Sequence, residues 1–114
     1  MLKQEYRLKK RSAFAATYRT GKSFHFGGIT MVVGKEKEND SPTKYGFVVS
    51  KKINKRAVKR NRIKRLMRES MRLIIKEGYI QNKYLSVIFI ASSKMLGKTF
   101  KETDSDMRGL VAKL

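Results

Sequence analysis

Residues 59–69 read KRNRIKRLMRE, and six of these eleven residues are Lys or Arg. The wider stretch 51–72 holds eleven basic residues and a single acid, Glu69. Solvated helices usually mix the two signs of charge, because like charges four residues apart lower helix stability. Five of the basic residues from 60 to 72 are arginines, whose planar guanidinium grips a phosphate at two points. This stretch is therefore predicted to bind the phosphate backbone of RNA or DNA.

The basic residues fall on one side of a predicted amphipathic helix that covers residues 55–77, with Asn54 as its N-cap. Its apolar side carries the candidate core residues Ile63, Leu66, Met67, Ser70, Met71 and Ile74. Its opposite side carries Asn61, Arg65, Arg68 and Arg72, with Lys64 at the edge. At a rise of about 1.5 Å per residue the row is roughly 16 Å long. A row of that length spans a few successive phosphates.

The net charge of the chain also indicates a negatively charged partner. The 114 residues include 28 Lys and Arg against nine acids, which gives a net charge of +19. That excess exceeds what solubility requires and predicts a polyanionic partner, either nucleic acid or an anionic membrane surface. With 40% hydrophobic residues the chain is expected to fold as one domain, residues 1–114. No apolar run reaches the roughly 18 residues of a membrane span, and the chain has no Cys. From these two features we expect a cytoplasmic protein.

The first half of the chain is predicted to form a short helix and two strands. Ser12 is a suitable N-cap for the helix and Gly21 a suitable residue to end it. Residues 29–33 and 45–50 have the β-branched and aromatic composition of strands. The polar loop between them predicts a hairpin with a long connection.

The second half adds a buried strand and a closing helix. Residues 84–91, YLSVIFIA, form a nearly continuous apolar run, which is typical of a central strand. Thr99 and Glu102 have the spacing of a capping box. The helix that follows is predicted to bury Met107, Leu110, Val111 and Leu114. The predicted fold is an α+β sandwich in which helices pack on one small sheet.

Other patterns that suggest catalysis or metal binding are rejected. The stretch SSKMLGKT, residues 92–99, has Ser92 where a Walker A loop requires glycine. Asp104 and Asp106 point about 200° apart on a helix, so they are not expected to share a metal ion. His25 has no acid near it in the sequence. A protein nuclease gathers carboxylates or histidines around a metal, and we predict no catalytic residue and no metal ligand on this chain.

Several segments resemble the protein component of bacterial ribonuclease P. KRNRIKRLMRE is similar to that family's Arg-Asn-Arg signature, and YGFVVSKKI resembles its strand that leads into Ser-Lys-Lys. RSAFAATYRTGK is similar to the opening helix, and YLSVIFIAS to the last strand. The resemblance covers most of residues 7–112 in the same order.

The resemblance implies a ribosomal-protein-like α-β sandwich with a left-handed crossover. It also implies a subunit of an endoribonuclease, a hydrolase that removes the 5′ leader of precursor tRNA. In that family the chemistry is carried out by a catalytic RNA, and Mg²⁺ is held mainly by the RNA. The implied partners are this RNA and precursor tRNA; no membrane and no protein partner is required.

Site residues are implied position by position. The RNA-facing residues would be Arg60, Asn61, Arg62, Lys64, Arg65 and Arg68, to which the helix row adds Arg72. Phe14 and Tyr18 would line a cleft for the leader, with Ser50, Lys51 and Lys52 at its edge. Taken alone, aromatic residues four apart on a helix are more often core residues. The family often has an aromatic residue near Val32, where this chain cannot stack a base in the same way.

Two readings from other functional classes remain at this point. A ribosomal or RNA-chaperone protein would also bind RNA in a salt-sensitive way, but it would not change tRNA maturation. A membrane-active basic protein would use the apolar side of the long helix to enter a lipid surface.

Overall fold

The computed structural model describes residues 2–53, 55–80 and 83–114. Its four strands are β1 (Lys22–Phe26), β2 (Ile29–Val33), β3 (Lys44–Val49) and β4 (Ser86–Ala91). They form one sheet in the order β1-β2-β4-β3. β4 is antiparallel to β2 and parallel to β3. The chain therefore places a late strand between two earlier ones.

The predicted hairpin of residues 29–50 is wrong, because β4 separates β2 from β3. β2 instead forms a hairpin with β1, a strand that was not predicted from the sequence. The turn contains Gly27, whose φ of 60° is a conformation that favours glycine, followed by Gly28. A Gly-Gly pair between alternating segments is a known hairpin signal, so β1 was recognisable from the sequence.

Three helices within the described residues cover the two faces of the sheet: α1 (Arg11–Tyr18), α2 (Ala57–Lys76) and α3 (Phe100–Val111). α1 packs with Val32 of β2 and Ile88 of β4 on one face. α2 and α3 pack together over the other face and share the main core with Phe89 of β4. A 3₁₀ turn at Gln4–Tyr6 precedes α1, and Arg7 bridges to Tyr45 at the outer edge of β3. The α+β sandwich is confirmed, with α2 as the crossover between parallel β3 and β4.

The buried side of α2 agrees closely with the prediction. Its fully buried residues are Ile63, Met67, Ser70, Met71 and Ile74. Leu66 is only half-buried. Because the apolar side of α2 lies against the sheet, it is not available to insert into a lipid surface.

Two helix starts differ from the prediction. Ser12 lies inside α1, where Lys10 occupies the N-cap position without a side-chain bond. α2 begins at Ala57 after Arg56, while the predicted cap, Asn54, lies outside the described residues. Leu114 is exposed rather than buried at the end of the chain.

The capping box of α3 is confirmed. The Thr99 hydroxyl accepts a hydrogen bond from the backbone N–H of Glu102 at 3.2 Å. The Glu102 carboxylate in turn accepts the backbone N–H of Thr99 at 3.1 Å. Met107, Leu110 and Val111 are then buried as predicted.

We expect Thr99→Ala to lower the free energy of unfolding by about 0.5–2 kcal/mol, because the backbone N–H of Glu102 loses its acceptor at the start of α3. Urea denaturation followed by circular dichroism measures the change. Ser105→Ala is the matched control, since Ser105 is exposed within the same helix. Equal stabilities for the two variants would show that the Thr99 hydroxyl does not stabilise the fold.

Candidate nucleic-acid interface

The outward side of α2 forms a shallow basic groove with the N-terminal segment. Asn61 and Arg65 are exposed and Arg68 is half-buried. Together with Arg7 and Glu69 they line a groove of about 400 Å³. Three of these five side chains are arginines, so the groove has the shape and the charge to hold a phosphate.

Arg7 and Arg68 lie close enough to repel each other. The pKa of Arg68 is lowered, first because the guanidinium is partly buried and second because of the positive charge of Arg7. The Arg7 guanidinium is held in place by a 2.8 Å hydrogen bond from Nε to the Leu2 carbonyl. An anion bound between the two arginines would relieve this repulsion.

Arg72 extends the predicted row but already has a partner. Its Nη2 lies 2.6 Å from Oε1 of Glu69, and its Nε also donates to this carboxylate at 3.1 Å. Hydrogen bonding to Arg72 is the main reason that the pKa of Glu69 is lowered. Arg72 is thus less available to a phosphate than Arg65, which is exposed.

The remaining residues of the basic motif point in different directions. Arg62 lies on the α3 side of the helix, where its Nη1 donates to the Lys98 carbonyl at 3.0 Å. Arg60 donates to the Lys55 carbonyl at 2.9 Å, before the start of the helix. Lys64 is half-exposed. The structure therefore brings Asn61, Arg65 and Arg68 together, whereas Arg62 joins α2 to the segment before α3.

A second candidate surface lies on the α1 side of the sheet. Phe14 is half-buried and packs over β3, where Gly46 makes room for it: a Cβ at Gly46 would lie 2.6 Å from the Phe14 ring. Tyr18, one turn later, is 42% exposed. Phe14 is therefore partly a core residue, as its spacing indicated, and Tyr18 is the more accessible ring.

Beside α1, part of the sheet is left uncovered. One row of paired residues crosses the whole sheet there: Val48 of β3, Ile90 of β4, Thr30 of β2 and His25 of β1. The first three are half-exposed and His25 is exposed, with its Nδ1 2.9 Å from the Thr30 hydroxyl. This row was not predicted from the sequence, because β1 was not.

The predicted rim of this surface follows β3 directly. It is a turn of three exposed residues, Ser50, Lys51 and Lys52. Within the turn, the Ser50 hydroxyl accepts a hydrogen bond from the Lys52 backbone N–H at 3.1 Å. Val32, the expected departure from the family, is 8% exposed and packs with Leu8 and Ile88. It therefore lies beneath the α1 side rather than on the uncovered row.

The two aspartates of α3 have separate partners. Asp104 accepts hydrogen bonds from Ser70 at 2.7 Å and from Arg108 at 2.8 Å. Asp106 pairs with Lys98 at 2.5 Å. In the parts of the chain that the structure describes, no three His, Asp or Glu side chains come together as a metal site. None of the helices in residues 2–53, 55–80 and 83–114 has the length and apolarity to cross a bilayer.

Comparison with known proteins supports the resemblance. Residues 2–114 match the Ribonuclease P family. The ribonuclease P protein component of Clostridium kluyveri is 38% identical over 108 residues, which cover 95% of this chain and 93% of the relative. That of Clostridioides difficile is 39% identical over 104 residues, covering 91% and 87%. The solved RNase P protein of Staphylococcus aureus is 29% identical, with a TM-score of 0.79 over 95% of this chain and 94% of that one. The chain therefore belongs to the ribonuclease P protein family, whose members are the protein subunit of the enzyme that matures the 5′ end of tRNA.

Proposed function

We propose that this subunit binds the catalytic RNA of ribonuclease P through the outward side of α2, and the 5′ leader of precursor tRNA through the uncovered sheet beside α1. The observation that carries the proposal is the groove formed by Arg7, Asn61, Arg65 and Arg68. Because Arg7 and Arg68 line the same groove, a phosphate bound there would meet positive charge from both the N-terminal segment and α2. The family membership favours this role over that of a ribosomal or RNA-chaperone protein.

The uncovered sheet differs chemically from the α2 groove. It offers half-exposed apolar side chains, the hydroxyl of Thr30 and the exposed ring of Tyr18, with Lys51 and Lys52 at its rim. Unpaired bases can stack on rings and apolar surface while lysines meet the backbone. A flexible single strand such as a leader fits this surface better than a rigid RNA duplex does.

Magnesium is proposed to be held by the RNA. Mg²⁺ prefers clustered oxygen ligands, whereas Glu69, Asp104 and Asp106 are each engaged by a cation of the protein. The protein's own contribution is then to neutralise phosphates, so that RNA and substrate approach each other at a lower magnesium concentration. From the family membership we place this activity in the cytoplasm.

The proposal is tested by cleavage of precursor tRNA by a bacterial ribonuclease P RNA at low magnesium, with and without this protein. We expect cleavage only when the protein is present. High magnesium, at which such an RNA would be less dependent on protein, is the control for an active RNA. Tight RNA binding without any rescue, repeated with several such RNAs, would leave only a general RNA-binding role.

We expect Phe14→Ala to weaken binding of leader-bearing tRNA by about 5- to 150-fold if the ring stacks on a base, which corresponds to roughly 1–3 kcal/mol. Binding of mature tRNA should not change. Phe14→Leu separates the two roles of the residue, because it keeps an apolar side chain over Gly46 but removes the ring. Full leader affinity in Phe14→Leu would mean that Phe14 only supports α1.

A further inference from the structure

A second groove lies on the same outward side of the molecule, beyond the Arg7 groove. Its walls are the N-terminal segment and the C-terminal half of α2, and its volume is about 560 Å³. The lining residues are Leu2, Lys3, Tyr6, Arg72, Ile75 and Lys76. The groove combines an aromatic ring with three cations, of which Arg72 is already paired with Glu69.

The cationic and the apolar side chains of this groove differ in exposure. Lys3 and Lys76 are exposed, so their ammonium groups are available at the mouth of the groove. Tyr6 and Ile75 are half-buried, and both pack against the main core. Held in this way, the Tyr6 ring offers a fixed apolar surface with cations around it.

The position of Tyr6 follows from the pairing of the N-terminal segment with the sheet. The 3₁₀ turn Gln4–Tyr6 is followed by the bridge from Arg7 to Tyr45 and by a 2.9 Å hydrogen bond from Leu8 N–H to the Tyr45 carbonyl. These contacts tie the segment to the edge of β3. Arg7 is thereby directed to the first groove and Tyr6 to the second, so one segment supplies a wall to both.

We propose that this second groove is a subsite for one unpaired nucleotide of the RNA that lies on α2, with the base on Tyr6 and Ile75 and its flanking phosphates at Lys3 and Lys76. The inference rests on the proposed function of the α2 side and extends it from Asn61 to Lys76, about 22 Å along the helix at 1.5 Å per residue. Stacking requires a base whose face is free, so the occupant is single-stranded at this point. A duplex, with its bases paired inside, would meet only the cations.

The test compares Tyr6→Leu with Tyr6→Phe in the full chain, using equilibrium binding to a bacterial ribonuclease P RNA. We expect Tyr6→Leu to weaken binding by about 5- to 150-fold, from the usual contribution of one stacked base, and Tyr6→Phe to stay within about twofold. Tyr79→Leu is the matched control, because Tyr79 is a 68% exposed tyrosine outside this groove. Thermal melts check that the variants fold.

Inorganic polyphosphate provides a second probe, since it carries phosphates but no bases. Tyr6→Leu should leave the affinity for polyphosphate unchanged while lowering the affinity for RNA. Equal losses for both probes, or full RNA affinity in a folded Tyr6→Leu protein, would overturn the subsite. If Arg65→Ala with Arg68→Ala also left RNA binding intact, the proposed function of α2 itself would fail, which is a distinguishable result.

Discussion

Replacing Arg65 and Arg68 together by alanine is expected to weaken binding to ribonuclease P RNA by a factor of about 10²–10⁴. Each arginine that bonds a phosphate contributes roughly 1.5–3 kcal/mol, and the two side chains line the same groove. The fold should not suffer. Arg65 is exposed, and removal of Arg68 relieves its repulsion with Arg7.

The salt dependence of binding makes this prediction specific. The slope of log K against log salt concentration should become shallower by about 0.7–0.9 for each phosphate that the variant no longer neutralises. Lys94→Ala with Lys101→Ala removes the same charge from exposed positions before and within α3 and serves as the matched control. If both double variants changed the slope equally, net charge rather than the α2 groove would account for binding.

Phe89→Ala is expected to lower the free energy of unfolding by about 3–5 kcal/mol. Phe89 is fully buried at the centre of β4, with the rings of Tyr45 and Phe47 at 6.4 and 5.8 Å. It faces α2, which carries the Arg7 groove, and α3, so the cavity would open directly beneath both helices. A loss of this size is a large part of the roughly 5–15 kcal/mol by which an ordinary domain is stable.

Denaturant titration measures this loss, and Phe89→Leu is the matched variant because it retains most of the buried volume. We expect Phe89→Leu to lose clearly less stability than Phe89→Ala. RNA binding by the fraction that stays folded should be normal for both. A Phe89→Ala protein as stable as the wild type would mean that the centre of the sheet repacks around the missing ring.

The groove on α2 was predictable where charge and helical spacing act together. The prediction correctly placed three residues on one side of the helix, because a helix repeats about every 3.6 residues whatever surrounds it. These residues are Asn61, Arg65 and Arg68. Arg7 was missed because it reaches the groove through a bridge to β3, a contact between residues far apart in the sequence. Arg72 was predicted without its bond to Glu69, because side-chain pairing depends on rotamers that a helical repeat does not determine.

The sheet was predictable in its strands but not in their order. Residues 29–33 were assigned correctly, since their β-branched residues match a buried strand. The predicted pairing of this strand with residues 45–50 was wrong. Strands that follow each other in sequence usually pair, but here β4 lies between them. The exposed surface beside α1 depends on that order, so His25 and Thr30 could not be assigned to it from spacing alone.

The position of β4 also affects how the chain reaches its native state. Until residues 86–91 have been synthesised, β2 lacks one of its two neighbours and β3 lacks the only strand beside it in the finished sheet. Unpaired strand edges of this kind are where newly made chains associate wrongly, and pairing over long distances in sequence is slow. Residues 1–85 already carry 23 Lys and Arg against six acids, so chains at this stage repel one another. The positive charge that binds RNA therefore also protects the unfinished chain from aggregation.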